Sequence, residues 1–376
     1  MTAAPLRICL VSAAYRPYPS GVGEHVHHLG VELASKGHKP HILTTRYSSP
    51  CSEDLKTTRL GRALVLPANR SRFTIPVGSR LAGEVKRFLL EHRFDIVHCH
   101  GIFPPEIAFW AARFAPAPVV VTFHTYGLRL PGFVRGGFRL FFPWLPGRIS
   151  ARIAVSRAGR EWAEPWFPGQ YHIIPNGVDS DAFSPGRRLP EAVSDLVPYV
   201  LFVGRLEKRK GLEVLLRAMP GLLRAGTDVN LAVAGSGPLE SRCHSLSREL
   251  GIDSRVRFLG RVDAGVLPGL YANCSVFASP ALGGEAMGIV LVEAMAAGAC
   301  VVASRIPGYD EVITHDRDGV MVAPGEPRAL TDALVGLLSS PAERARLAKA
   351  ARRRSADFAW PAIADRIERV YREVLA

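Results

Sequence analysis

One pattern occurs twice along this chain and leaves few folds open to it. A short apolar run ends in a glycine-bearing turn, and apolar residues at helical spacing follow. Leu6-Arg7-Ile8-Cys9-Leu10-Val11 is the first such run. Ser20-Gly21-Val22-Gly23 comes next, and His25 to Lys36 then carries Val26, Leu29 and Leu33 on one helical face, with Gly37 placed as a cap. His41-Ile42-Leu43-Thr44, Asp95-Ile96-Val97-His98 and Val119-Val120-Val121-Thr122-Phe123 read as further strands, the last two separated by a helix around Pro105 to Phe114. Strands that are apolar throughout and alternate with helices specify a parallel, doubly wound α/β sheet.

The pattern restarts after two loop-like clusters, Asn176-Gly177-Val178-Asp179 and Ser184 to Pro190. Tyr199 to Val203 reads as a strand, Leu212 to Arg224 as a helix and Val229 to Ala234 as a strand. Val256 to Leu259, Val276 to Ala278, Ile289 to Ala297, Val301 to Ala303 and Gly319 to Val322 continue the alternation. We expect a first domain over residues 1–180, completed by a C-terminal helix at 358–376, and a second over 181–357, with a hinge near 178–198. In that helix Ile363, Ile367, Val370, Tyr371 and Val374 share one face. Two such halves facing each other make a cleft, and ligands of open parallel sheets bind beyond the carboxyl ends of the strands.

Composition narrows the compartment and the partners. Lys and Arg number 47 against 34 Asp and Glu, a formal charge of +13, which calls for an anionic partner. None of Cys9, Cys51, Cys99, Cys243, Cys274 and Cys300 forms a Cys-x-x-Cys pair, and most sit in apolar runs, so a reduced, cytoplasmic setting is the simpler reading. The apolar stretch at Ile8 to Ala14 is not that of a signal peptide, and no run approaches the ~20 residues needed to span a bilayer. A membrane would therefore be met from its surface.

The loops after strands hold the chemistry. Gly21-Val22-Gly23 can bring backbone N–H groups to a phosphate or sugar, or be a plain tight turn; it is not Gly-x-Gly-x-x-Gly, and no acidic residue ends the second strand, which argues against a nicotinamide dinucleotide. In Gly204-Arg205-Leu206-Glu207-Lys208-Arg209-Lys210-Gly211, Arg205 and Lys210 can neutralise a diphosphate. Gly283 to Ala294 is the most informative stretch. Backbone N–H groups at Met287, Gly288 and Ile289 can receive a phosphate, and Glu285 and Glu293, eight apart, can accept from vicinal hydroxyls. His124 ends a strand of the first half. His98 and His100 could be mistaken for a metal pair, but no carboxylate joins them locally. Asp316-Arg317-Asp318 has the form of a metal-holding Asp-x-Asp, yet reads as a surface turn before Gly319.

Taken together, Gly21-Val22-Gly23, His124, Asn176 to Asp179, Arg205 with Lys210, Gly235-Ser236-Gly237 and Glu285-x7-Glu293 resemble the family 4 retaining glycosyltransferases over nearly the whole chain. The resemblance implies the GT-B fold, α/β with two Rossmann-like doubly wound parallel-sheet domains facing across a cleft, and a nucleotide-sugar held mainly by the second. Within the family the chain looks most like phosphatidylinositol mannosyltransferases, through Val65 to Ser71, Phe123-His124-Thr125 and Gly283 to Ser304. That likeness implies Arg205 and Lys210 on the diphosphate, Glu285 on the sugar, Glu293 on the ribose, His124 on the sugar's primary hydroxyl and Asp263 near the nucleobase. Gly21, Gly23, Gly204, Gly235 and Gly237 would line the donor, and Arg70, Thr125 and Arg129 an anionic acceptor. The chain departs from the pattern at Gly23, where those enzymes carry an amide that contacts the inositol, at Phe103, in place of an asparagine, and at Met287, in place of an aromatic.

The resulting expectation is a retaining hexosyltransferase that needs no metal and no cofactor. It would move a hexose, mannose from GDP-mannose first, to a hydroxyl of an anionic or lipid-linked acceptor. Two alternatives stay open: a UDP-sugar transferase with a soluble acceptor, and a basic nucleic-acid-binding protein, which lacks the aromatic–basic interleaving of any such module. From Leu55 to Gly83 there are six basic residues and no acidic one. From Ile107 to Arg160 there are eight arginines and again no acid, with Phe133, Phe138, Phe141, Phe142 and Trp144 interleaved with Arg135 and Arg139. Such a segment suits the headgroup region of an anionic leaflet, so a peripheral place at the inner face of the membrane is expected.

Overall fold

The computed structural model describes residues 4–17, 20–47, 54–68, 71–78, 80–124 and 132–376, with backbone alone for 65–68 and 71–77. The chain divides into two compact units, one of residues up to Gly177 together with Trp360–Ala376, the other Val178–Ala359.

The first unit begins β1 (Arg7–Ser12), α1 (Gly21–Ser35), β2 (Lys39–Arg46), β3 (Thr57–Ala68), β4 (Ser71–Val77), α2 (Leu81–His92) and β5 (Ile96–His100). It continues with α3 (Ile107–Phe114), β6 (Val119–Phe123), α4 (Gly132–Phe141), β7 (Ile149–Ala154), α5 (Arg157–Ala163) and β8 (Tyr171–Ile173). The eight strands lie in the order β4-β3-β2-β1-β5-β6-β7-β8. All neighbours are parallel except β3 and β4. Every residue of β5 and β6 is buried, as strands covered by helices on both faces must be.

The second unit holds β9 (Tyr199–Val203), α6 (Leu212–Arg224), β10 (Asn230–Ala234), α7 (Glu240–Glu249), β11 (Val256–Gly260) and α8 (Leu267–Asn273). Then come β12 (Val276–Ser279), α9 (Ile289–Ala296), β13 (Val301–Ser304), β14 (Val320–Val322), α10 (Pro327–Ser339) and α11 (Pro341–Ser355). Its six strands are parallel in the order β11-β10-β9-β12-β13-β14. The order reverses direction between β9 and β12, and in the first unit between β1 and β5. Loops leaving those strands splay apart there and open a crevice beyond the carboxyl ends.

The last helix, α12 (Trp360–Leu375), returns to the first unit. Trp360, Ile363, Ala364, Ile367, Val370 and Tyr371 are buried at helical spacing and share a core with Ile8, Leu10, Val26 and Leu29. Lys36 at the end of α1 pairs with Asp365 and Glu368. At the junction, Gly177 lies so close to Trp360 that a Cβ would fall 2.3 Å from the indole Cδ2, and the Asp179 carboxylate accepts from the Asp181 and Ala182 N–H groups.

Two features depart from the sequence reading. Gly21 and Gly23 are not in a loop before the helix; they are its first turn, because Ser20 is the N-cap and its hydroxyl accepts from Gly23 N. The β3–β4 hairpin was not legible, since Gly61, Pro67 and Pro76 interrupt its apolar pattern; Pro76 is tolerated because β4 is an edge strand.

Candidate functional site

In the second unit the crevice is bounded by the loop after β9 and the loop after β12. The β9 loop runs Gly204 to Gly211, and its one 3-10 turn is Lys208–Lys210. Gly235, after β10, has φ 142°, and a Cβ there would lie 1.9 Å from the Gly204 carbonyl oxygen, so only glycine lets these two loops touch. A Cβ on Gly237 would lie 2.5 Å from the Leu206 carbonyl oxygen. These glycines keep the crevice floor low.

Charges converge above that floor. Lys210 Nζ is 2.7 Å from Glu285 Oε1. Arg209 also pairs with Glu285, donates to the Gly284 carbonyl at 3.0 Å, and reaches Glu207 Oε1 at 2.6 Å through Nε. Glu207 and Glu285 are both buried, so each carboxylate depends on these cations for its solvation. Arg205 is exposed, with Nε 3.9 Å from Glu207 Oε2, and its guanidinium is available to an incoming anion. Thus the structure brings Arg205, Lys210 and Glu285 to one crevice. It adds Arg209, which the sequence reading passed over. The signal was the alternation Glu207-Lys208-Arg209-Lys210, in which Lys208 and Arg209 could not be told apart without knowing the turn.

The helix α9 starts at this crevice. Its N-cap is Gly288, at φ 79°, and no side chain caps it. Leu291 N–H is already given to the Gly288 carbonyl at 2.9 Å, so the N–H groups of Ile289 and Val290 are the ones that can meet an anion, and the helix dipole favours negative charge there. The Met287 side chain is buried in the core and Ile289 packs against it, which leaves their backbone as the part that can meet a ligand. Glu293, two turns of sequence from Glu285, accepts from the Tyr271 hydroxyl at 3.0 Å. Burial pushes its carboxyl up to about 7, with Tyr271 and Lys210 opposing the shift. Asp263 is exposed after β11, and its carbonyl caps α8 by accepting from Val266 and Leu267 N–H.

In the first unit, His124 follows β6 and His100 ends β5. The two imidazoles are joined by a hydrogen bond between His100 Nδ1 and His124 Nε2, 3.0 Å long. His25 of α1 packs edge-on to His124, with ring centroids 4.6 Å apart. Burial lowers the His124 imidazole to about 4, with Asn176 opposing, so the ring is neutral at pH 7. The His98 nitrogens are both engaged, by the Tyr371 hydroxyl at 2.6 Å and the Thr122 hydroxyl at 2.7 Å, which removes it as a metal ligand. Arg70, Thr125 and Arg129 lie outside the described residues.

Asp316-Arg317-Asp318 is a turn before β14. Asp318 is buried and its Oδ1 accepts from Thr314 N at 2.7 Å, so it holds the turn. The aromatic segment around α4 divides in a way the sequence did not show. Phe138 is buried against Phe103, Trp166 and Phe167, and Phe142 and Trp144 pack against the same core. Phe133, Leu140 and Phe141 are instead 80%, 77% and 73% exposed. Among the described residues no helix is long and apolar enough to cross a membrane.

Comparison with known proteins places the chain. Residues 19–182 match the model of Glycosyltransferase Family 4, and residues 191–354 that of Glycosyl transferases group 1. A phosphatidyl-myo-inositol mannosyltransferase of Mycobacterium leprae is 35% identical over 98% of this chain and 97% of its own. A glycogen synthase of Mycobacterium tuberculosis is 30% identical over 97% of this chain and 94% of its own. Among solved structures, a glycosyltransferase of Rickettsia africae superimposes with a TM-score of 0.80 at 20% identity, covering 99% of both chains. Anabaena HepE in complex with UDP and glucose gives 0.75 at 19% identity, over 98% of this chain and all of that one.

Proposed function

The chain belongs to glycosyltransferase family 4, and we propose that within it the protein is a retaining mannosyltransferase that uses GDP-mannose and a lipid-linked, anionic acceptor such as phosphatidylinositol. The observation that carries this reading is the Lys210–Glu285 pair at the point where the second sheet reverses direction, beside an uncapped helix N-terminus. A dianionic diphosphate set there meets two cations, Arg205 and Lys210, and the dipole of α9. These strengthen their hold as the sugar–phosphate bond breaks and negative charge develops on the leaving oxygen. The cations do the work a divalent metal does in other transferases, so no metal is required.

Glu285, relieved of part of its pairing when Lys210 turns to phosphate, accepts from a sugar hydroxyl. Glu293 accepts from the ribose, and Asp263 meets the base. His124 is neutral at pH 7 and so can accept from or donate to the sugar's primary hydroxyl. Among the described residues the site offers no well-placed nucleophile for a glycosyl-enzyme intermediate. Retention then follows a front-face path, in which the leaving phosphate takes the proton of the acceptor hydroxyl. The identity to the mycobacterial mannosyltransferases over nearly full length supports the mannose and lipid assignments. The exposed Phe133, Leu140 and Phe141 on an arginine-bearing helix support a lipid surface, at the inner face of the membrane, as the place of work.

The test is a donor screen, GDP-mannose against UDP-glucose and UDP-galactose, with phosphatidylinositol vesicles or soluble glucans as acceptors and mass-spectrometric detection. Mannosyl transfer to the lipid alone is expected. Glucosyl transfer to a soluble glucan would overturn the reading in favour of the glycogen-synthase relative.

A further inference from the structure

Three histidines of the first unit come from separate elements and point at one place. His25 is on α1, His100 ends β5 and His124 follows β6. One ring nitrogen from each lies within 4.8 Å of the other two. His25 and His100 are each 3% exposed, while His124 is partly open to solvent. The Asn176 side chain lies against both His25 and His124 and is a polar neighbour of His25, whose two ring nitrogens are buried without a hydrogen bond of ordinary geometry, as is Nε2 of His100. A buried imidazole nitrogen left this way costs free energy, and a metal on one nitrogen of His25 would return part of it. All three rings are held neutral, the form that ligates metal.

We propose that His25, His100 and His124 form a site for a transition-metal dication of the zinc type, and that metal bound there inhibits transfer. Zinc takes imidazole nitrogens at about 2.0–2.1 Å, which sets neighbouring tetrahedral ligands about 3.3–3.4 Å apart. His100 Nδ1 and His124 Nε2, at 3.0 Å, are close to that spacing. The other pairs must close from at most 4.8 Å, within reach of an imidazole rotation. The proton in the His100–His124 hydrogen bond moves to another nitrogen of the same ring, so three neutral imidazoles remain and no acid or base is consumed. Three protein ligands leave a fourth position open on the solvent side of His124. Local sequence gave no hint of this: the carboxylate sought beside His98 and His100 is absent, and the partners arrive from α1 and β6. The inhibitory half rests on the role proposed above for His124: a metal on Nε2 would pin the ring and set a dication beside the sugar hydroxyl that the ring is to meet.

The experiment uses the full chain without a histidine tag, stripped with chelator and titrated with Co2+, whose visible d–d absorption intensifies in tetrahedral sites. One Co2+ per chain with that signature, displaced by Zn2+, is expected. His25→Gln and His100→Gln should each weaken Co2+ binding at least about tenfold with an unchanged far-ultraviolet dichroism spectrum. Zn2+ should inhibit transfer by the wild type reversibly, and inhibit His25→Gln at least about tenfold less potently. Absence of a tetrahedral signature in the wild type would overturn the site, as would equal affinity in both variants. Binding without inhibition would overturn the inhibitory half and, separately, the role given to His124, while leaving transferase activity itself untouched.

Discussion

Lys210 and Glu285 meet at 2.7 Å from opposite sides of the crevice in the second unit, one from the loop after β9 and one from the loop after β12. Glu285 is also held by Arg209, which in turn holds Glu207. Glu285 keeps Arg209 when Lys210 is lost, so the lysine is the cation the fold can spare for a ligand; the arginine serves two buried carboxylates and is the structural strut, although its side chain is the more exposed, 43% against 16%. Lys210→Ala is expected to keep its melting temperature and to lose donor affinity. One charge-assisted contact is worth about 1.5–3 kcal/mol, or roughly tenfold to 150-fold. Arg209→Ala should do the reverse in part, lowering stability by about 1–3 kcal/mol because two buried carboxylates lose a partner. Nucleotide titration calorimetry and thermal melts on both variants check this; equal donor affinity in Lys210→Ala and wild type would remove Lys210 from the diphosphate.

Glu293 gives a pH signature. Its folded pKa of about 7 lies above that of an unfolded glutamate, so between roughly pH 4.5 and 7 the folded state binds more protons. Stability of the second unit then falls as pH rises through that window. Gln at 293 cannot ionise, yet its carbonyl still accepts from Tyr271. Glu293→Gln is expected to gain about 2–4 kcal/mol over wild type at pH 8 and little at pH 4.5, while binding the nucleotide more weakly. Melting curves that run parallel at both pH values would refute the assignment.

What could be read in the sequence follows from where the cause of each feature lies. β9 and α6 were found residue for residue because their apolar periodicity is local, and Gly204 to Gly211 between them marks the turn. The hairpin β3–β4 was missed because its pairing across the turn carries information that no single strand holds. The same holds at the site. Arg205, Lys210 and Glu285 stand out as charged residues in glycine-bearing loops, but Arg209 is distinguished from Lys208 only by the 3-10 turn that aims it at Glu285. Phe138 and Phe141 are three residues apart and chemically identical; which one is core depends on how α4 settles on Trp166 and Phe167.

Gly288 tests the anion site by shape. Its φ of 79° disfavours any side chain, and a Cβ would fall 2.2 Å from Tyr309 Cε1. The Tyr309 hydroxyl is fixed by Ser279 at 2.8 Å, so the ring cannot give way freely. Gly288→Ala is expected to lose at least about 1–2 kcal/mol of stability and to shift the first turn of α9 off the phosphate. A drop in donor affinity alongside the lower melting temperature is the result to look for; lost stability with intact affinity would place the phosphate elsewhere.

Chelation separates the cationic site from a metal-dependent one. Transfer is expected to survive EDTA, because Arg205, Lys210 and the α9 dipole carry the charge. Asp316→Asn is expected to be neutral, and Asp318→Asn nearly so, since the amide oxygen can still accept from Thr314 N. A strict requirement for Mg2+ or Mn2+ that Asp316→Asn abolishes would reverse the reading of that turn.

The exposed face of α4 sets the last prediction. Phe133, Leu140 and Phe141 fall at helical positions i, i+7 and i+8, and all three are largely open to solvent. Arg135 lies on the same helix, and Arg139 is anchored to the Pro165 carbonyl at 2.9 Å. An apolar strip with cations beside it can enter the headgroup region, the side chains gaining about 1.5–3 kcal/mol each if fully buried and the cations about 1 kcal/mol each near an anionic surface. Because these side chains do little in the core, Leu140→Ser with Phe141→Ser should leave the melting temperature within about 1 °C per residue changed and yet lower vesicle binding about tenfold or more. Arg135→Glu should weaken binding to anionic vesicles and not to neutral ones, and salt should weaken wild-type binding by screening. Co-sedimentation with vesicles containing phosphatidylinositol, with and without added salt, decides the matter. Equal binding to neutral and anionic vesicles, or none to either, would show that the strip serves another purpose and that the acceptor is met in solution.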